Sequence, residues 1–213
     1  MPKQNSANDI FQFKIVLNDS APRIWRRILV PARYTFFDLH CAIQNAMGWA
    51  DSHLHAFYIE NKKAKDRITI QCPSPDGDDR SDGETRDERA ERIADYFGQL
   101  IKQCLYCYDF GDSWDHTVIF ERALSRVPKT VYPQCVAGEN ACPPEDCGGL
   151  GGYENLLEIL KNPHHKEYAD MLDWLCIDSP KEFNLREFNP TEVDFEDSKK
   201  RLAEWNKEFD NDD

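Results

Sequence analysis

Two β-prone runs separated by only five residues constrain this chain more than any other feature. "IFQFKIVL" (Ile10–Leu17) alternates apolar and polar side chains, and "RIWRRILV" (Arg23–Val30) follows across the turn-like spacer "NDSAP". A spacer of that length closes a hairpin and is too short for the crossover that parallel pairing needs. The pattern recurs at "CLYCYDF" (Cys104–Phe110) and "DHTVIFE" (Asp115–Glu121), joined by the polar turn Gly111-Asp112-Ser113-Trp114. "HLHAFYIE" (His53–Glu60) adds a further strand, with "RITIQC" (Arg67–Cys72) as its partner.

Helical signals fall between these runs. Thr35 caps a helix whose stripe is Phe36, Leu39, Ile43 and Met47, with Asp38 at its positive end and Gly48 as its stop. "ERAERIADYFGQLIKQ" reads as a second helix with Ile93, Phe97, Leu100 and Ile101 on its apolar face, weakened by Gly98. Tyr153, Leu156, Leu157 and Leu160 mark a third, and Glu167–Leu175 a fourth. Asn189 and Pro190 open a last helix carrying Phe195, Leu202 and Phe209. "YPQCVAGENACPPEDCGGLGG" (Tyr132–Gly152) reads as a loop. Hairpins outnumber crossovers, so the expected fold is α+β: a mostly antiparallel sheet with helices packed on it, as a single domain over 10–209. A mobile acidic loop is expected at about 73–88, with flexible termini at 1–9 and 210–213.

The chain has 213 residues and a formal charge of −13. Asp76–Glu91 and Pro190–Asp213 supply −10 of it, leaving the remainder close to neutral. Such acidity disfavours non-specific nucleic-acid binding without excluding a local basic face. No run of 18 apolar residues offers a membrane span, and "MPKQNSANDI" lacks the apolar core of a signal peptide, so a cytoplasmic protein is the expectation. The eight cysteines are then expected as thiols.

Several clusters carry potential chemistry. "FGDS" around Ser113 resembles an esterase block, but no Asp-x-x-His segment stands near the chain end to serve it. Cys104 and Cys107 lie three apart in a strand and point to opposite faces, as buried thiols would. Cys135, Cys142 and Cys147 lie in a loop able to bend around zinc or another divalent metal, although their spacing matches no common zinc signature. His53 and His55 share a strand face; with Asp112, Trp114 and His116 they are expected to converge on one partly exposed groove. Arg23, Trp25 and Arg27 share another strand face, of a kind that can stack bases and hold phosphates, or simply pair with acids across the sheet.

"PRIWRRILVP", "FFDLHCAIQNAMGWADSHLHAF", "YDFGDSWDHTVIFE" and "YPQCVAGENACPPEDCGGLGGYENLL", in that order, resemble the plasmid pRiA4b ORF-3-like family. The resemblance spans roughly Ile10 to Trp205. It implies a single α+β domain found in plasmid, mobile-element and chromosomal proteins of prokaryotes. Matching positions include Trp25, Arg26, Trp49, His53, His55, Tyr108, Asp109, Asp112, Trp114, His116, Cys135, Gly138, Cys142 and Gly149, whereas Cys147 stands where the family often has an apolar residue. The family brings no established reaction. The function expected is a non-enzymatic binding or accessory module of mobile elements, with protein or nucleic acid as partner. The alternative is a metal-dependent hydrolase using the His/Asp groove, with bound water as nucleophile.

Overall fold

The structure is a computed structural model that describes residues 9–61, 66–73 and 83–210. Eight strands form one sheet: β1 (Asp9–Leu17), β2 (Trp25–Pro31), β3 (His55–Asn61), β4 (Asp66–Gln71), β5 (Glu84–Asp87), β6 (Gln103–Tyr108), β7 (Trp114–Ser125) and β8 (Gln134–Glu139). Their spatial order is β5-β4-β3-β6-β7-β1-β2-β8, antiparallel throughout except for the β4–β5 pair at one edge. The α+β expectation with a mostly antiparallel sheet is met. No helix among the described residues is long and apolar enough to cross a membrane.

Both expected hairpins form. In β1 the alternation sends Phe11, Phe13, Ile15 and Leu17 into the core, all at most 1% exposed. Burial of each such side chain contributes on the order of 2 kcal/mol. Phe120 and Phe97 close edge-on to Phe13, at ring-centroid distances of 5.8 and 4.8 Å with Phe97 the nearer. One bulge interrupts the β1–β7 ladder: Gln12 pairs with Arg122 and Phe13 with Phe120, so Glu121 is the extra residue.

Helix α1 (Phe36–Met47) begins with a full capping box. The Asp38 N–H donates to Thr35 Oγ1 at 3.2 Å, and the Thr35 N–H donates to Asp38 Oδ2 at 2.9 Å. It stops at Gly48, whose φ of 91° is the left-handed conformation a C-terminal glycine supplies. Between those ends α1 is buried nearly all round, His40 and Gln44 included.

Four expectations need correction. The second helix is one turn, α2 (Ile93–Tyr96), because Gly98 takes φ 83° and turns the chain into a bridge between Phe97 and Ile101; Leu100 ends exposed. The Tyr132–Gly152 loop contains the edge strand β8, and α3 (Gly149–Lys161) starts inside it. The acidic loop contributes β5, while 74–82 lie outside the described residues. Asn189 caps only a short 3-10 turn (Pro190–Glu192), its side-chain Oδ1 accepting from the Thr191 N–H; the last helix, α5, starts at Ser198 and runs to Asp210. Asp9 and Asp210 thus belong to regular elements, and the remaining residues of the two expected flexible termini, 1–8 and 211–213, lie outside the description. The fourth helix, α4 (Tyr168–Trp174), stands as expected.

Candidate functional site

The stretch Tyr108–Phe120 makes the tip of the β6–β7 hairpin. Its left-handed residues are Asp109 (φ 55°) and Ser113 (φ 54°), rather than Gly111 or Asp112. Asp109 tolerates this because its own carboxylate accepts from the Gly111 N–H at 2.9 Å, an Asx turn. Asp112 reaches out of the tip and accepts from the Gly148 N–H at 3.1 Å, at the entry to α3. Gly149 follows at φ 66°; a Cβ there would stand 2.4 Å from the Asp112 carbonyl oxygen. The Asp112 side chain and the close approach of its carbonyl to Gly149 therefore hold the tip against the start of α3.

Beside the tip, the chain leaving α1 is clamped to the 143–146 segment. Trp49 Nε1–H donates to the Pro143 carbonyl at 2.9 Å, and Glu145 accepts from the Ala50 N–H at 2.7 Å and from the Tyr108 hydroxyl at 2.5 Å. Burial and the Glu145 carboxylate push the Tyr108 phenol well above its ordinary range. On the outside of this clamp His53 bonds Asp146 at 2.8 Å, with Asp109 at 3.8 Å. Ligand atoms of His53, Asp109 and Asp146 lie within 4.8 Å of one another. The flanking side chains Leu54 and Phe110 are exposed by 62% and 47%, and the segments that carry them, just outside β3 and β6, are tied by the Asp109 N–H donating to the Leu54 carbonyl at 2.9 Å.

The expected five-residue groove is redistributed by this geometry. Only His53 and Asp112 lie towards solvent. Trp114 and His116 are 1% and 0% exposed, so neither walls an open cleft. Trp49 packs against both, at 5.6 and 5.4 Å. Neither ring nitrogen of His116 makes a well-formed hydrogen bond among the described residues; the Trp114 and Tyr106 backbones lie near enough to favour the charged ring, but desolvation outweighs them and pushes its pKa down to about 4. His55 turns inward and bonds Glu88 at 2.7 Å. The hydrolase set His53, His55, Asp112 and His116 is not gathered around one point: the two ligand clusters among the described residues are His53–Asp109–Asp146 and His40–Asp51–His55.

That second cluster is internal. His40 and His55 stack face to face at 3.3 Å with planes 2° apart. His40 Nε2 meets Asp51 at 2.7 Å, and its Nδ1 meets the Tyr106 hydroxyl at 2.8 Å, which also accepts from Gln44 at 2.9 Å. Asp51 in turn holds Arg201 of α5 at 3.1 Å. Burial and the adjacent His55 push the His40 pKa down, whereas its imidazole and Arg201 help hold the Asp51 carboxyl below its usual range despite desolvation. Glu88 is fully buried, and its Oε1 has no partner among the described residues.

The three loop cysteines are not gathered. Cys135 turns towards the Ala137 carbonyl and Cys147 towards that of Gly149, and neither of the two ligand clusters contains a thiol. Burial raises the Cys142 thiol to about 12 and the Cys147 thiol to about 11, which favours the protonated form.

Of Arg23, Trp25 and Arg27, only Trp25 and Arg27 lie on β2, two apart and hence on one face, with Arg23 in the segment before it; that face is largely satisfied from within. Arg27 forks onto Glu121 at 2.7 and 2.8 Å, which lowers the Glu121 pKa and raises that of Arg27. Lys14 Nζ stands 4.3 Å over the Trp25 ring. Arg23 alone is exposed. The opposite face holds Arg26, a position of the family pattern to which the sequence assigned no role: 1% exposed, it donates to the carbonyls of Ala46, Trp25, Glu139 and Asn140 and lies 3.6 Å over the Phe188 ring.

The fold and this loop end define a class: an open, mostly antiparallel sheet with helices on it, whose hairpin tip is locked to a Cys/Pro/Gly-rich segment. Residues 9–197 match the model of the plasmid pRiA4b ORF-3-like protein family, and the chain belongs to that family. An uncharacterised protein, y4hQ, from Sinorhizobium fredii (strain NBRC 101917 / NGR234) is 32% identical over 165 residues, which is 78% of this chain and 80% of the relative. The crystal structure of MM3350, a protein of unknown function from Methanosarcina mazei Go1, superposes with a TM-score of 0.78 at 41% identity, covering 89% of this chain and 99% of that one.

Proposed function

We propose that this protein is a non-enzymatic binding module whose contact surface is the loop end around the Asp109–Ser113 turn, and that its partner is a protein segment both basic and apolar. The observation that carries this reading is the exposed pair Leu54 and Phe110, set among the carboxylates of Asp109, Asp112 and Asp146. Exposed apolar side chains rimmed by charge of one sign are the composition of a docking patch, and the sign selects the partner. Those carboxylates repel phosphate, and Arg27 is already engaged by Glu121, so the geometry favours protein over nucleic acid. The burial of Trp114 and His116 supports binding over chemistry, because neither side chain meets solvent. The family's description, which refers to a plasmid reading frame, fits an accessory role in such elements.

Selection from a random peptide display library tests the reading. Enriched peptides are expected to combine Lys or Arg with Leu or Phe, and to lose binding to the Leu54→Ser/Phe110→Ser double variant, whose exposed positions leave the core intact. Peptides of no common composition, or binding indifferent to the double variant, refute it. Retention of single- or double-stranded DNA or RNA at low salt would replace the protein partner with nucleic acid.

A further inference from the structure

We propose that His40, Asp51, His55 and Glu88 form a buried site for one divalent transition-metal ion of the zinc type, which staples the helices to the sheet. The four residues come from separate parts of the chain: α1, the segment after it, the start of β3 and the turn after β5. Their convergence is not a by-product of one local motif. One ligand atom from each of His40, Asp51 and His55 already lies within 4.8 Å of the others. Bonds of about 2.0–2.2 Å to nitrogen and oxygen place ligand atoms of one ion about 3–4 Å apart, and because the two rings lie parallel in a stack, both tilt out of it to aim a nitrogen at a shared ion while Glu88 swings in from His55.

Glu88 supplies the independent observation. It is a fully buried carboxylate with one oxygen on His55 at 2.7 Å and the other, Oε1, without a partner among the described residues. A buried carboxylate oxygen in that condition calls for a cation or a proton. The stacked imidazoles do not supply full compensation, because two imidazolium rings 3.3 Å apart repel each other. Arg201 addresses Asp51, from α5, and leaves Glu88 to the interior.

The donor set selects the ion. Two imidazoles with two carboxylates and no thiolate suit zinc, iron or manganese and not a soft ion. The surroundings are those of a ligand shell: Tyr106, held by Gln44, contacts the second ring nitrogen of His40 and fixes the ring's orientation, as outer partners of metal-bound histidines do. With every donor buried or nearly so, the ion has no open face for a substrate. Its role is structural. It joins α1 to β3, and through Asp51 and Arg201 it reaches α5.

Chelator-treated full-length protein titrated with Co²⁺ alone, then with Zn²⁺, tests this. The expected result is visible d–d bands that saturate at one ion per chain and disappear as Zn²⁺ displaces Co²⁺, with a higher melting temperature. His55→Gln is expected to weaken Co²⁺ at least ten-fold, whereas His53→Gln, in the surface cluster, leaves it unchanged. Where His55→Gln does not fold, X-ray absorption on the Zn²⁺-loaded native protein decides: two imidazoles with oxygen donors support the site, and sulfur or a single imidazole overturns it. Absence of Co²⁺ and Zn²⁺ binding by folded native protein overturns it as well, as does loss of the bands in His53→Gln. The peptide experiment is independent of all these outcomes.

Discussion

Acidification from pH 7 to pH 5 is expected to cost the folded protein about 2 kcal/mol through His116. In the unfolded chain this imidazole titrates near 6.5. In the fold, desolvation between Trp49 and Tyr106 holds it at about 4. A histidine whose folded pKa is depressed leaves the unfolded state binding more protons. Stability is therefore complete above about 6.5 and is lost as pH falls from there towards 4. At pH 5 nearly every unfolded molecule carries this proton and only about a tenth of folded molecules do, which integrates to about 2 kcal/mol. His40 shifts in the same direction and adds to the loss. The stability contributed by Asp51, a carboxyl pulled down, is present throughout this window and is lost only as pH falls below about 4. The perturbation is His116→Leu, close in volume and without a charge to bury. Urea unfolding followed by tryptophan fluorescence, at constant ionic strength, gives the stability of both proteins at pH 7 and pH 5. The native protein is expected to lose about 2 kcal/mol more than the variant between the two pH values, roughly 1 M in the midpoint for a slope of ~2 kcal/mol/M. Equal losses would refute the assignment of the acid sensitivity to His116.

Two other substitutions probe the frame that positions the loop end. Arg26→Met leaves four carbonyls without their guanidinium, and urea unfolding should show a loss of about 3–5 kcal/mol. Gly149→Ala combines a left-handed φ with a Cβ 2.4 Å from a backbone oxygen, and should lower stability by at least ~2 kcal/mol and raise amide exchange at Gly148, a change Gly151→Ala, which has open space, should not produce.

What the sequence made legible was the part of the fold fixed by local period. The two hairpins, α1 with its Thr35 cap and Gly48 stop, and the stripe of α3 each follow from neighbours in the chain. What it hid was decided at long range. Nothing in "QCVAGE" alternates strongly, and β8 forms because Gly138 lets Phe188 and the Trp25 carbonyl approach where a Cβ would stand 2.3 and 2.8 Å away. The four-residue strand β5 lies in an acid-rich stretch and exists because β4 offers it a parallel edge. In α2, Gly98 overrode an apolar pattern that had read as a full helix.

The site was misjudged for a related reason. Treating His53 and His55 as strand neighbours put both on one face, yet β3 begins only at His55, and His53 sits in the bend before it. The two histidines therefore enter different environments, one facing Asp146 at the surface and one facing Glu88 in the core. The internal partner had a signal: His40 and Gln44 stand four apart on α1 and face the same Tyr106 hydroxyl, so a polar pair interrupts a helix otherwise buried. Glu88 had none, being one of eight acids between Asp76 and Glu91. Only its backbone, bonded to Gln71 and Phe37, carries it out of that charged stretch and into the core. A residue with the composition of a surface loop thus becomes the least exposed carboxylate in the cluster. Its cost of burial is the reason to look for a cation beside it.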